Sequence, residues 1–132
     1  MMSLGAEGVQ MGSRFVATQE ASSSMVFKQA VVAANEGDTI VTLKKLTPVR
    51  LIKNHFYQEV QDAESRGASA DELEKILGRA RAKQGMFEGD LEEGELEIGQ
   101  VSSIIKEIIP AGDVVNNVWK EFVKTFHEPF EL

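Results

Sequence analysis

The residues best suited to chemistry stand near the start of the chain, where Gln10, Met11, Gly12 and Ser13 close the run Gly5-Ala6-Glu7-Gly8-Val9-Gln10-Met11-Gly12-Ser13. Gly8 to Met11 reads as a short buried strand that enters a Gly-Ser turn. A turn of this kind points backbone N–H groups outward with no bulky side chain over them. An anion can sit there, and phosphate is the usual occupant. Arg14 follows and could either add charge or pair with Glu20. The strand is apolar apart from Gln10, as strands buried on both faces of a parallel sheet are, and its sheet partners are not visible in this chain.

The remaining chemistry-bearing residues have plainer readings. His55 lies beside Phe56 and Tyr57 on a helix and reads as a surface or partly buried side chain. His127, just before Glu128-Pro129, reads as solvated. Glu88, Asp90, Glu92 and Glu93 lack the spacing of an EF-hand loop and read as a solvated acidic loop within Gly85–Gly94. There are no cysteines, which excludes disulfides, thiolate catalysis and cysteine-based zinc sites. Gln100 stands at a helix start.

The elements that must position these residues are mainly helical. Ser24 offers an N-cap for a helix to about Asn35, with Gly37 as its left-handed stop. The β-branched run Thr39–Lys44 predicts a short strand. Pro48 opens a helix over about Val49–Glu64, with Val49, Ile52, Phe56 and Val60 at helical spacing. Ser69 and Glu72 form a capping box for a third helix, about Ala70 to Lys83, which buries Leu73, Ile76, Leu77 and Ala80 and is weakened by Gly78. A fourth helix is expected from Gly99-Gln100-Val101 to about Ile109. A fifth, about Ala111–Phe126, carries the apolar face Val114, Val115, Val118, Trp119, Phe122, Val123 and Phe126; its aromatic residues read most simply as core.

The chain has 132 residues, 42% of them hydrophobic and 27% charged, within the range of one domain. Its net charge of −7 leaves no basic face to neutralise a nucleic-acid backbone or an anionic membrane surface. No apolar run approaches the ~20 residues of a membrane span. The absence of cysteine and of a signal peptide predicts a cytoplasmic location.

In their order, these pieces resemble the nitronate monooxygenase (2-nitropropane dioxygenase) family, which includes the FMN-dependent enoyl-acyl-carrier-protein reductases of type II. Gly5 to Phe15 followed by Glu20 resembles the family's eighth strand and its loop. Asp38-Thr39, Arg50-x-x-x-Asn54 and the block Gly89-Asp90…Gly94…Gly99-Gln100 follow in the family's order. IMP-dehydrogenase-type barrels share the first motif, but the later blocks favour the nitronate monooxygenase side. The resemblance implies an α/β parent, an FMN-binding (β/α)8 TIM barrel, of which this chain is the C-terminal portion, mostly α with two short strands. It implies that residues 1–21 form the last barrel strand and phosphate-binding loop. Residues 22–132 then form the C-terminal helical region and substrate-side insertion.

On the family pattern, Gln10, Met11, Gly12 and Ser13 line the FMN phosphate, with Ser13 in place of the commoner threonine. The implied parent chemistry is NAD(P)H-linked reduction of an enoyl thioester or flavin oxidation of an alkyl nitronate. Neither His55 nor His127 matches the family's catalytic histidine, so no catalytic residue is assigned. The chain alone is expected to be inactive and to expose apolar faces that pack on the barrel. Such faces invite association, as a homo-oligomer or with the missing N-terminal half. The competing reading is a non-enzymatic acidic helical interaction module.

Overall fold

Two four-residue strands divide the interior into two cores. In a computed structural model, which describes residues 4–127, the elements are α1 (Ser13–Val16), α2 (Met25–Ala33), β1 (Thr39–Thr42), β2 (Val49–Ile52), α3 (His55–Ser65), α4 (Ala70–Leu77), a π-helical turn (Lys83–Phe87), a 3-10 helix (Gln100–Ile104) and α5 (Ala111–His127). The strands pair antiparallel, Thr39 opposite Ile52 and Thr42 opposite Val49.

Successive side chains of a strand point to opposite faces, and this separates the cores. Leu51 enters one with Leu43, Phe56, Val60, Ala63 and Leu73. Ile52 packs against the other, built from Ala17, Phe27, Val31, Leu96, Ile98 and Ile105. The extended run 96–98 follows the outer edge of β2: Ile52 N–H donates to Leu96 O and Ile98 N–H to Arg50 O, both at 3.0 Å.

The helix starts follow side-chain caps. Ser24 Oγ accepts from Phe27 N–H at the start of α2, and Asn54 Oδ1 accepts from Tyr57 N–H at the start of α3. Ser69 and Glu72 make the full reciprocal capping box of α4. Each cap satisfies N–H groups that have no intrahelical partner.

Several expected boundaries are corrected. Val49–Ile52 is strand, not the first turn of a helix: its edges are taken by β1 and by 96–98, and α3 begins only after Asn54. The third helix stops at Leu77 because Gly78 (φ +63°) and Ala80 (φ +65°) both leave the helical region; Ala80 is exposed. The fourth helix is one 3-10 segment, and Ile109 instead forms a parallel bridge with Thr18. Gly37 has φ +87° but stands in the turn before β1, while α2 ends at Ala33.

The strand expected at Gly8–Met11 is an extended run without a ladder partner among the described residues, and Val9 is 71% exposed. Among the described residues no strand lies beside it to complete its hydrogen bonds. Trp119, expected in the core, is 64% exposed, because α5 buries Val114 and leaves its other face open. Among the described residues, no helix is long and apolar enough to cross a membrane.

Candidate functional site

The site forms where two distant motifs touch. Gly12 precedes α1, and its carbonyl accepts from Phe15 N–H (2.9 Å) and Val16 N–H (3.3 Å), which closes the first turn. Ser13 Oγ accepts from Gly99 N–H at 2.9 Å. That bond leaves the hydroxyl proton directed elsewhere and available to an acceptor. The approach is close enough that a Cβ on Gly99 would lie 2.6 Å from Ser13 Oγ, whereas nothing lies within 4 Å of the place a Cβ would take on Gly12. The result is an open cleft of about 360 Å³ walled by Gly12, Ser13, Val16, Arg50, Glu97, Ile98 and Gly99.

Gly99 is brought to Ser13 by the acidic loop, which is more built than its composition suggests. Asp90 Oδ1 accepts the N–H groups of Glu92 (3.1 Å) and Glu93 (2.9 Å), and Asp90 Oδ2 accepts from Gln84 Nε2 at 2.7 Å. These bonds hold the Asp90 carboxyl below the usual carboxylate range, the Glu93 N–H first and the Gln84 amide next. Asn54 Nδ2 donates to Leu91 O (2.9 Å) and Gly94 O (2.8 Å), so the residue that caps α3 also clamps the loop. Arg81 donates to Glu93 O at 2.7 Å and stacks 4.9 Å from the Phe56 ring centre.

Gly94 passes so near Gly85 that a Cβ on it would stand 2.2 Å from Gly85 Cα; only glycine fits. Beyond it, Glu95 is buried without a side-chain partner among the described residues. Burial, and then the charge of Glu97, push its carboxyl up to about 6.

Of the four expected site residues, Gly12 and Ser13 form the cleft wall, while Gln10 and Met11 belong to the extended run before it and do not line it. Arg14 does not pair with Glu20. Its guanidinium donates to Ala17 O (3.2 Å) and Glu107 O (3.1 Å), and Glu20 Oε2 instead accepts from Ala111 N–H at the start of α5. His55 lies on the surface with Nδ1 2.6 Å from Glu93 Oε1; the side chain of His127 lies outside what the structure describes. Gln100 is exposed at the start of the 3-10 helix.

Arg50 and Glu97 are cleft residues that the sequence did not single out as such. Once Val49–Ile52 is taken as a strand, alternation alone sends Arg50 to the face opposite Leu51.

The chain is similar to known proteins over most of its length. The model of the nitronate monooxygenase family matches residues 1–121. A protein of Staphylococcus saprophyticus described as a "probable nitronate monooxygenase" is 30% identical over 122 residues, 91% of this chain and 34% of that protein. One of Bacillus subtilis with the same description is 28% identical over 124 residues, 93% of this chain and 35% of that protein. The solved structure of FabK from Thermotoga maritima superposes with a TM-score of 0.85 at 36% identity, over 95% of this chain and 40% of that one. The chain thus spans about a third of the length of the curated relatives it matches. It belongs to the nitronate monooxygenase family and corresponds to the C-terminal part of that family's α/β barrel, mostly helical with two short strands.

Proposed function

We propose that this chain forms one wall of the flavin-phosphate site of an FMN-dependent oxidoreductase whose barrel is completed by an N-terminal part. The observation that carries this reading is the junction of Ser13 with Gly99. The Ser13 oxygen is occupied by the Gly99 N–H, so its proton is free to donate to a phosphate oxygen. Ser13 and Arg14 open the first turn of α1, where amide N–H groups have no intrahelical partner. The space over Gly12 is clear. The residues present fit a phosphate; Gln10 and Met11 reach it only with the rest of the barrel around them.

When bound, FMN would supply hydride or single-electron transfer. The substrate classes are an enoyl thioester, reduced with NAD(P)H, or an alkyl nitronate. No catalytic residue is assigned to this chain, which is inactive alone in this reading. Its location is cytoplasmic.

The test is an FMN titration of the purified chain, followed by flavin absorbance and gel filtration, with Ser13→Ala beside it. A co-eluting flavin band with shifted maxima is expected when the barrel is completed by the N-terminal part or by association. Ser13→Ala should weaken binding about tenfold. Flavin retained equally by both proteins would sink the reading. A second reading, a non-enzymatic acidic helical interaction module, is favoured by the open face of α5, where Val115 is 54% and Trp119 64% exposed. A monomer with a sharp two-state melt and no flavin under any condition would select it.

A further inference from the structure

Arg50 is the residue of the cleft wall to which the flavin reading gives no work. It lies on β2 beside Leu51, whose side chain fills a core, so Arg50 projects to the opposite face, toward Ser13. Its Nη1 donates to Thr39 O (3.2 Å) and Thr39 Oγ1 (3.1 Å). Both acceptors are neutral. Among the described residues no carboxylate lies within ion-pairing distance of it, whereas Arg14, Arg81 and Lys83 each have a carboxylate within 4.0 Å. The two bonds hold the guanidinium in place and leave its Nε and Nη2 donors unused among the described residues. A planar fork of that kind matches two oxygens of a phosphate.

We propose that Arg50 reads the charge of a phosphate monoester in this cleft, together with the outward Ser13 hydroxyl. The Thr39 oxygens orient the guanidinium, and Glu97, on the same wall, opposes the anion and limits how tightly it is held. The identity of the ligand as FMN rests on the flavin reading above; the existence of the anion site does not. A chain with net charge −7 repels anions at long range, so one unpaired guanidinium at the mouth of a cleft has a large local effect.

The experiment, run with the N-terminal part present to complete the barrel, compares FMN with riboflavin, which lacks the phosphate, on the wild type, Arg50→Gln, Arg50→Lys, Glu97→Gln and Thr39→Val. It is joined by NMR of the Arg50 Nε resonance during titration with inorganic phosphate. Arg50→Gln should weaken FMN about tenfold and riboflavin by less than about twofold, with Arg50→Lys between. Glu97→Gln should tighten FMN and leave riboflavin alone. Thr39→Val removes one orienting bond while keeping the charge, and should retain most of the preference for FMN. Equal losses for FMN and riboflavin in Arg50→Gln would overturn the proposal while leaving the flavin reading standing. If the wild type binds no flavin but phosphate moves Arg50 Nε saturably, the anion site stands and the flavin reading falls. If neither flavin nor phosphate registers, both fall.

Discussion

Helices α4 and α5 are both amphipathic, and they end differently. α4 buries Leu73 completely and packs Ile76 and Leu77 against the same core, with α3 as its partner. α5 is twice as long and carries more aromatic surface, yet only Val114 of its apolar face is buried, and Trp119 and Phe126 are 64% and 70% exposed. Both helices start from anchored N–H groups, α4 at Ser69 and α5 through Glu20. Local signals therefore do not separate them; a partner surface does. The α3–α4 unit carries its partner within about twenty residues, whereas the outer face of α5 stays largely exposed. A face of that size on a chain spanning a third of its relatives' length is what a barrel part leaves uncovered.

The widest contrast is between a buried and an open aromatic ring. Phe56 is fully buried beneath the Arg81 guanidinium, so Phe56→Ala should cost about 3–5 kcal/mol. Trp119→Ser should change stability by less than about 0.5 kcal/mol and should reduce association instead. Urea unfolding with sedimentation velocity checks both. A large loss of stability from Trp119→Ser would mean that the open face is covered within the chain's own assembly and that the comparison is wrong.

A second, smaller effect asks whether the acidic loop belongs with the self-sufficient unit. Asn54 makes three hydrogen bonds with one side chain, to Tyr57 N–H, Leu91 O and Gly94 O. Asn54→Ala removes the α3 cap and the clamp together, at about 2 kcal/mol. Asn54→Asp keeps the cap and loses the two donors, so it should fall between. Amide exchange should rise in residues 89–99 more than in α4. Exchange confined to the first turn of α3 would show that Asn54 is only a cap.

What was legible in the sequence follows the range of the forces involved. The Ser24 cap, the Ser69–Glu72 box and the extent of α5 are set within a few residues, and they read correctly. Val49 and Ile52 did not. Their spacing with Phe56 and Val60 suits a helix, but the hydrogen bonds that make them a strand come from Thr39–Thr42 and from 96–98. The cleft divides the same way. Gly12 and Ser13 were visible as a motif, and the Gly99 block as another. Their contact across 86 positions of sequence, with Arg50 and Glu97 beside it, is a product of packing. The family likeness supplied the order of the blocks but not that geometry.

The last contrast lies within the run that joins the loop to the cleft. Glu72 and Asp90 accept N–H bonds that lower their carboxyls, Glu72 chiefly through Ser69 N–H and Asp90 chiefly through Glu93 N–H. Their contribution is present above the unfolded-state value and disappears as pH falls through the folded one. Glu95 is the reverse case. Burial and Glu97 raise it from 4.5 to about 6, so in that interval the folded state keeps a proton that the unfolded chain has released. Its protonated form is favourable below 4.5, and that advantage disappears as pH rises through about 6. The swing is about 2 kcal/mol. Urea midpoints should therefore fall between about pH 4.5 and about pH 7, and Glu95→Gln should flatten that fall and raise the midpoint at neutral pH. Glu97→Gln should reduce the slope only in part, because burial is the larger cause. An unchanged slope in Glu95→Gln would place the sensitivity elsewhere and would leave the run from Gly94 to Gly99 no more strained than the capped helices beside it.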